Sequence, residues 1–359
     1  MGQSPSSDSY NAFSNGLPFY QGNADFGEDN PTPRIWCTDP KKIAEKGDIL
    51  ISVRAPIGAI NIASEQCCIG RGIAAIRPNT ELASRDYLRH QLRASRDKLE
   101  AMGTGSTFKA IGKKALGDFA ITIYPKKGQE AIACQFNWVA DHIKLANSQL
   151  AQLDNLVKSR FVEMFGGLGS DGLRSLKDVC SIITDGTHQP PKFVDEGIPF
   201  LFVSNIASDA VDYETNKFIS VEDYEQLIRR TPIEIGDVLV SAVGSFGHPA
   251  VVRNGRPFCF QRHIAYLKPR HDLVDSNYLH AVLLSDEAQR YMERCAKGVA
   301  QRTVTLKSFR EMKIPVPPMS LQEEFAAFVQ HVDKLRFDVQ QQIDKLELLK
   351  SSLMQEYFG

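Results

Sequence analysis

Few residues in this 359-residue chain are typed and spaced for chemistry. The stretch IITDGTHQPPKF (Ile182 to Phe193) sets Asp185 close before His188, a pair that could move a proton if a nucleophile or second carboxylate stood nearby. None does in sequence, so a loop that touches a ligand or simply turns the chain is the better reading. GSTFKAIGKK has the outline of a phosphate loop, but G-x-x-x-x-G-K-[ST] requires glycine where Thr107 stands and serine or threonine where Lys114 stands. DNPTP (Asp29 to Pro33) approaches the N-P-P-[YF] loop that holds a base for amino-group methylation. Thr32 and Pro33 replace its second proline and its aromatic residue, and no F-x-G-x-G cofactor loop accompanies it. The seven cysteines (Cys37, Cys67, Cys68, Cys134, Cys180, Cys259, Cys295) form no C-x-x-C pair, which argues against a disulfide framework or a zinc site and for reduced, mostly buried thiols.

What remains is charge. The formal net charge is only −1, yet Val238 to His271 contains no acid and carries Arg253, Arg256, Arg262, Lys268 and Arg270 with His248, His263 and His271. Arg294 to Arg310 has the same bias, as does MGTGSTFKAIGKKALG with Lys109, Lys113 and Lys114. Acids gather elsewhere, at Asp141, Asp154, Glu163, Glu323, Glu324, Asp333, Asp338, Asp344 and Glu347. Basic faces on a neutral chain are the electrostatic footprint expected for a polyanion.

The elements that position these residues occur twice. Gly47, Asp48, Leu50, Ser52 and Gly58 recur as Gly236, Asp237, Leu239, Ser241 and Gly247; AAIRP recurs as AYLKP, ITIYP as IPVPP, and MFG as YFG. The chain reads as one unit of about 190 residues used twice, too long a period for a solenoid and suited to two related domains. Ile132, Phe136, Val139, Ile143, Ala146, Leu150, Leu153 and Val157 step by four and three, the seam of a coiled coil. Phe325, Val329, Val332, Arg336, Val339, Ile343, Leu346 and Lys350 repeat it with two basic residues in the seam. Each helix starts after a proline-containing strand end, near Gln129 and Ser320, and stops at Gly166 or Gly359. Some 38 residues make a rod of roughly 57 Å, whose stripe is best buried on the other rod. The first part of each unit, with runs such as DILISV, IPFLFV and HIAYLKP between Gly, Pro and Asn, reads as small twisted sheets with long polar loops. No run reaches the roughly 18 apolar residues of a spanning helix, and no secretory signal is readable, so a cytoplasmic protein is expected.

The two half-repeats, VCSIITDGTHQPPKF, MGQSPSS, GLPFYQGNADFG, the Gly-Asp-(Val/Ile)-Leu-(Val/Ile)-Ser strand, and IPVPPMSLQEEF entering a long helix together resemble the specificity subunit of a type I restriction-modification system. The likeness covers essentially the whole chain. It implies an α+β tandem pseudo-twofold repeat of two small β-rich target recognition domains, at 1–126 and 167–318, separated by two long antiparallel coiled-coil helices, at 127–166 and 319–359. It implies a non-catalytic subunit that reads a bipartite double-stranded DNA target, one half-site per domain. Methyltransferase and restriction/translocase subunits are the implied partners, and S-adenosylmethionine, ATP and magnesium are expected on them rather than here. Candidate DNA contacts are Thr184, Thr187, His188, Gln189, Lys192, Arg262, His263 and Arg302 in the second domain, and Gln3, Ser4, Ser6, Ser7, Arg54, Arg71, Thr107 and Lys109 in the first. Alignment of GLPF with GIPF places Met1 opposite Ile182, so the first unit lacks a counterpart to LRSLKDVCSI. A stand-alone nuclease or methyltransferase, and a protein-only scaffold, are the alternative readings.

Overall fold

The computed structural model describes residues 1–105, 109–167, 172–189, 191–298 and 301–359. It divides into two compact units, Met1–Ser148 with Gln340–Gly359, and Gln149–Val339. The class is α+β as expected, with short sheets and two helices, Lys126–Phe165 and Met319–Phe358, each contributing to both units.

Repetition in sequence is repetition in strand pairing. In the first unit Leu17–Tyr20 runs antiparallel to Trp36–Cys37 and parallel to Cys67–Ile69. In the second, Ile198–Leu201 runs antiparallel to Phe218–Ile219 and parallel to Cys259–Phe260. A second sheet places Ile49–Ser52 between Ile60–Ile62 and Ile73–Ile76, matched by Val238–Ser241 between Pro249–Val251 and Ile264–Pro269. Ile49, Leu50, Ile51, Val238, Leu239 and Val240 are all fully buried, which is why these runs are apolar without alternation. The second unit adds Cys180–Asp185 beside Ile264–Pro269, and Leu173–Ser175 beside Lys313–Pro315. Among the described residues the first unit has no counterpart of either strand.

The repeated Gly-Asp is a turn device. Gly47 (φ +89°) and Gly236 (φ +95°) occupy the left-handed region, which glycine enters without Cβ strain. The following aspartate closes the turn: Asp48 Oδ2 accepts the Glu45 N–H at 2.9 Å, and Asp237 Oδ2 accepts the Glu234 N–H at 2.8 Å. Each then anchors the neighbouring strand, Asp48 through a two-pronged contact from Arg77 (both 2.8 Å), Asp237 through Tyr266 Oη (2.7 Å) and Lys268 Nζ (3.4 Å). Burial pushes both carboxyls up. In Asp48 the Arg77 guanidinium and the Glu45 N–H outweigh it and the pKa falls below the ordinary value; in Asp237 burial prevails and the pKa is raised.

Each helix ends in the unit where the other begins. In the first unit Phe136 stacks on Phe358 at 5.6 Å, and Tyr87 meets Phe358 edge-on at 5.7 Å. In the second, Phe165 meets Tyr278 at 4.8 Å and Phe325 at 5.6 Å. The phenylalanines of MFG and YFG are therefore core residues. The expected seams lie inward, with Ile132, Phe136, Val139 and Ala146 buried on one helix and Phe325, Val329, Val332 and Ile343 on the other. Within the second unit the segments run antiparallel, since Arg160 pairs with Glu324 and Asp154 with Arg336, both at 2.7 Å. The seam residue Arg336 thus finds Asp154 and Asp333, although its Nε is buried without a partner.

Candidate nucleic-acid interface

In the first unit, four chain segments are tied edge to edge by backbone hydrogen bonds. Gly2 N–H donates to Ile73 O (2.8 Å) and Gln3 N–H to Ile69 O (2.9 Å); Val53 N–H donates to Gly72 O (2.9 Å); Ala55 N–H donates to Lys109 O (3.2 Å) and Ile111 N–H to Val53 O (2.9 Å). This ladder brings Gln3, Ser4, Arg71, Arg54 and Lys109 onto one rim. Ser4 Oγ accepts the Arg71 N–H at 3.4 Å. The side chains of Gln3, Arg54, Arg71 and Lys109 are exposed. Ser6 and Ser7 stand further along, at a short 3-10 turn where Ser6 O accepts from Ser9. Thr107 lies outside the described residues.

The second unit repeats the ladder. Gly186 N–H donates to Ile264 O (3.3 Å) and Thr187 N–H to Phe260 O (3.0 Å); Arg262 N–H donates to Thr187 O (3.0 Å); Ala242 N–H donates to His263 O (2.8 Å) and Gly244 N–H to Arg302 O (2.9 Å). Thr187, Arg262, His263 and Arg302 therefore share a rim, with Thr184, His188 and Gln189 on the adjoining strand end and turn and Lys192 exposed beyond it.

The ladder corrects the alignment of the two units. Gly2 takes the place of Gly186, not of Ile183, because both donate to the same strand and a Cβ on either would sit 2.2 Å from a backbone oxygen, Gly70 O or Phe260 O. Gln3 therefore corresponds to Thr187 rather than Thr184, and Met1 to Asp185 rather than Ile182. Anchoring on GLPF misplaced the register because the loop after Gly2 is longer than the loop after Gly186.

The basic residues of the second unit divide into two groups. Arg253 pairs with Asp333 (3.0 Å), Lys268 with Glu234 (2.8 Å), and Arg310 donates to Ile183 O (2.7 Å). Arg302 pairs with Glu293, donates to its carbonyl (2.8 Å) and lies over the Phe246 ring at 5.3 Å. These hold the fold. Arg262 and Lys192, like Arg54, Arg71 and Lys109 in the first unit, have no acidic side-chain partner among the described residues. His263 is shifted below its ordinary pKa by burial and then by Arg262, which favours its neutral form on the rim.

Asp185 and His188 do meet, at 3.0 Å, but Arg230 also binds Asp185 at 2.6 Å and reaches Thr184 Oγ1 at 3.4 Å. Asp185 thus anchors a turn, and Thr187 Oγ1 closes it by donating to Gln189 O (2.9 Å). A second polar chain escaped the sequence reading: Ser245 Oγ lies 3.2 Å from His248 Nε2, whose Nδ1 lies 3.1 Å from Asp209 Oδ1. Acyl transfer by such a trio needs free N–H groups for the oxyanion, and the flanking Gly244 and Gly247 amides donate to Arg302 O and Ser241 O. The trio instead fixes the loop beside Arg302. Among the described residues no three His, Cys, Asp or Glu side chains converge as a metal site.

A solvent-facing rim of arginine, lysine, glutamine and threonine on a backbone ladder suits phosphates and base edges. The family model for the type I restriction modification DNA specificity domain matches residues 1–155 and again 172–348. The chain belongs to this family. The specificity subunit of the type I restriction enzyme EcoBI from Escherichia coli is 20% identical over 347 residues, covering 87% of this chain and 73% of that protein. A protein named by inference as the MjaX specificity subunit, from Methanocaldococcus jannaschii, is 41% identical over 158 residues; the match takes in 44% of this chain and only 37% of that protein. Among solved structures, the type I S subunit from M. genitalium superposes with a TM-score of 0.55 at 14% identity, covering 100% of this chain and 92% of that one, so the fold is shared. Both matches of the specificity-domain model contain one ladder, and the family's repeat is the repeat seen here. Among the described residues no helix is long and apolar enough to cross a membrane.

Proposed function

We propose that this chain is the DNA-recognition subunit of a type I restriction-modification complex, that each unit reads one part of a split target, and that the paired helices set the gap. The observation that carries this reading is the twin rim: the same ladder presents an arginine, Arg71 or Arg262, with no acidic partner among the described residues, at matching places in both units. Arg54, Lys109 and Lys192 bind phosphates and fix register, while Arg71, Arg262, Gln3, Thr187 and His263 face the groove, where side-chain type discriminates bases. Catalysis belongs to methyltransferase and restriction subunits docked on this chain, which carry S-adenosylmethionine, ATP and magnesium.

The test is to express the chain with a type I methyltransferase subunit and map the methylated sites. A single split motif is expected, and Arg262→Ala should degrade only one of its halves. Methylation without sequence preference, or equal damage to both halves, would remove the assignment of one half-site to each unit.

A further inference from the structure

Ser245, His248 and Asp209 do more than brace a loop, because together they fix where a surface hydroxyl sends its proton. Ser245 is exposed and follows Gly244, whose N–H donates to Arg302 O on the ladder (2.9 Å). A Cβ on Gly244 would meet nothing within 4 Å, so this loop opens to solvent beside the rim. A free hydroxyl both donates and accepts and tells bases apart poorly. Ser245 is not free: its Oγ lies 3.2 Å from His248 Nε2.

The other end of the trio assigns the proton on that contact. His248 Nδ1 lies 3.1 Å from Asp209 Oδ1, and a carboxylate oxygen only accepts. In the neutral imidazole Nδ1 therefore carries the ring proton and Nε2 accepts, so the Ser245 hydroxyl donates inward and only its lone pairs face outward. Asp209 is held for this task. Its φ of +60° lies in the left-handed region, where a non-glycine residue is strained, and its carbonyl accepts from His280 Nε2 at 3.1 Å. The hairpin itself does not need the trio. In the first unit Ser52 N–H donates to Ala59 O as Ser241 N–H does to His248 O, both at 2.9 Å, yet Pro56 and Ala59 stand where Ser245 and His248 stand here.

We propose that Ser245 is an acceptor-only base reader of the second unit, set in that state by the Asp209–His248 pair, and that it selects a base bearing an exocyclic amino group. The inference rests on the second unit being a DNA reader. Adenine N6 and cytosine N4 are the hydrogen-bond donors of the major groove, whereas guanine O6, thymine O4 and the purine N7 atoms accept. An oxygen whose proton is already given away pairs with the first two and repels the others. His248 acts through Ser245 and is a positioning residue.

The test uses the full chain with a type I methyltransferase subunit and the split motif mapped for that pair, at about pH 8, above the range in which imidazole side chains ordinarily titrate. Binding is measured without S-adenosylmethionine on duplexes in which each adenine of the half-site degraded by Arg262→Ala is replaced in turn by unsubstituted purine, and each cytosine by 2-pyrimidinone. At one position, loss of the amino group should weaken binding by about tenfold for the unaltered chain and leave Ser245→Ala unaffected. Ser245→Thr, which keeps the hydroxyl, should keep that sensitivity. His248→Phe releases the hydroxyl proton, so at the same position it should also bind bases that present a keto oxygen, with affinity for the mapped motif retained; continued refusal of those bases would overturn the role of His248. A motif with no amino-dependent position of this kind, or a Ser245→Ala loss spread equally over all sequences, would overturn the inference alone. A chain that yields no split motif would overturn the DNA reading and this inference with it.

Discussion

Arg262 and Arg302 are both basic residues of one rim, yet they are not equivalent. Among the described residues Arg262 has no acidic side-chain partner, whereas Arg302 is held by Glu293 and the Phe246 ring. Arg262→Ala is therefore expected to weaken specific binding by about 1–3 kcal/mol and to relax preference at one position of one half-site. A uniform loss across sequences, with a shallower salt dependence, would reassign it to a phosphate. The charge bias of this region was legible in sequence, but which cations the fold itself engages was not, since Asp333 and Glu234 reach Arg253 and Lys268 only through tertiary structure. His90 gives a second residue-scale expectation. It is buried against Phe136 (5.0 Å) and Asn137 (2.8 Å), and burial pushes its imidazole down to about 4. The folded state thus binds the proton less well than the unfolded chain, whose histidine titrates near 6.5. Stability from neutral His90 is complete above that value and is lost as pH falls from about 6.5 to about 4, by roughly 3 kcal/mol. Thermal melts of His90→Gln should show a flatter dependence across this window, and an unchanged slope would exclude His90 as the cause.

Among the elements, the junction between each strand layer and its long helix rests on one buried glutamine. Gln129 Nε2 donates to Leu82 O (2.7 Å) and Tyr124 O (2.8 Å) while its Oε1 accepts Ser84 N–H (2.8 Å). Gln322 repeats the set with Leu273 O (3.1 Å), Pro317 O (2.8 Å) and Asp275 N–H (2.9 Å). Both side chains are buried, so Gln322→Leu leaves three backbone groups without partners in a dry site. A loss of at least about 2 kcal/mol is expected in urea unfolding, against a few tenths for Gln340→Leu on the exposed face. Equal small losses would mean that water replaces the clamp. The seams were readable because apolar residues at spacings of four and three bury one stripe, and the strands because fully buried runs are continuous. The glutamine clamps were not, since a polar residue at a helix start reads as solvent-facing until its partners are placed. The register of the first residues failed for a related reason: GLPF fixes its own strand, and the loop before it sets no length.

At the scale of the whole chain, one pattern serves twice because each unit borrows the end of the other's helix: Phe358 completes the core around Tyr87, and Phe165 the core around Tyr278. The duplicated helix ends are therefore fixed by packing, and the middle of each helix is the part with freedom to vary. If, as proposed, recognition side chains sit on the ladders and spacing residues on the helices, the two should be separable. Inserting one heptad into both helices, after Ile143 and after Arg336, keeps each seam in phase and leaves both sets of aromatic contacts in their own units. Each helix lengthens by about 10 Å, close to three base pairs at about 3.4 Å per step along B-DNA. The methylated motif should then show a changed gap with both half-sites unaltered, or, if the added rotation about the duplex disfavours joint engagement, loss of methylation with both units still folded. New half-site sequences, or an unchanged gap at unchanged affinity, would show that the helices do not set the spacing.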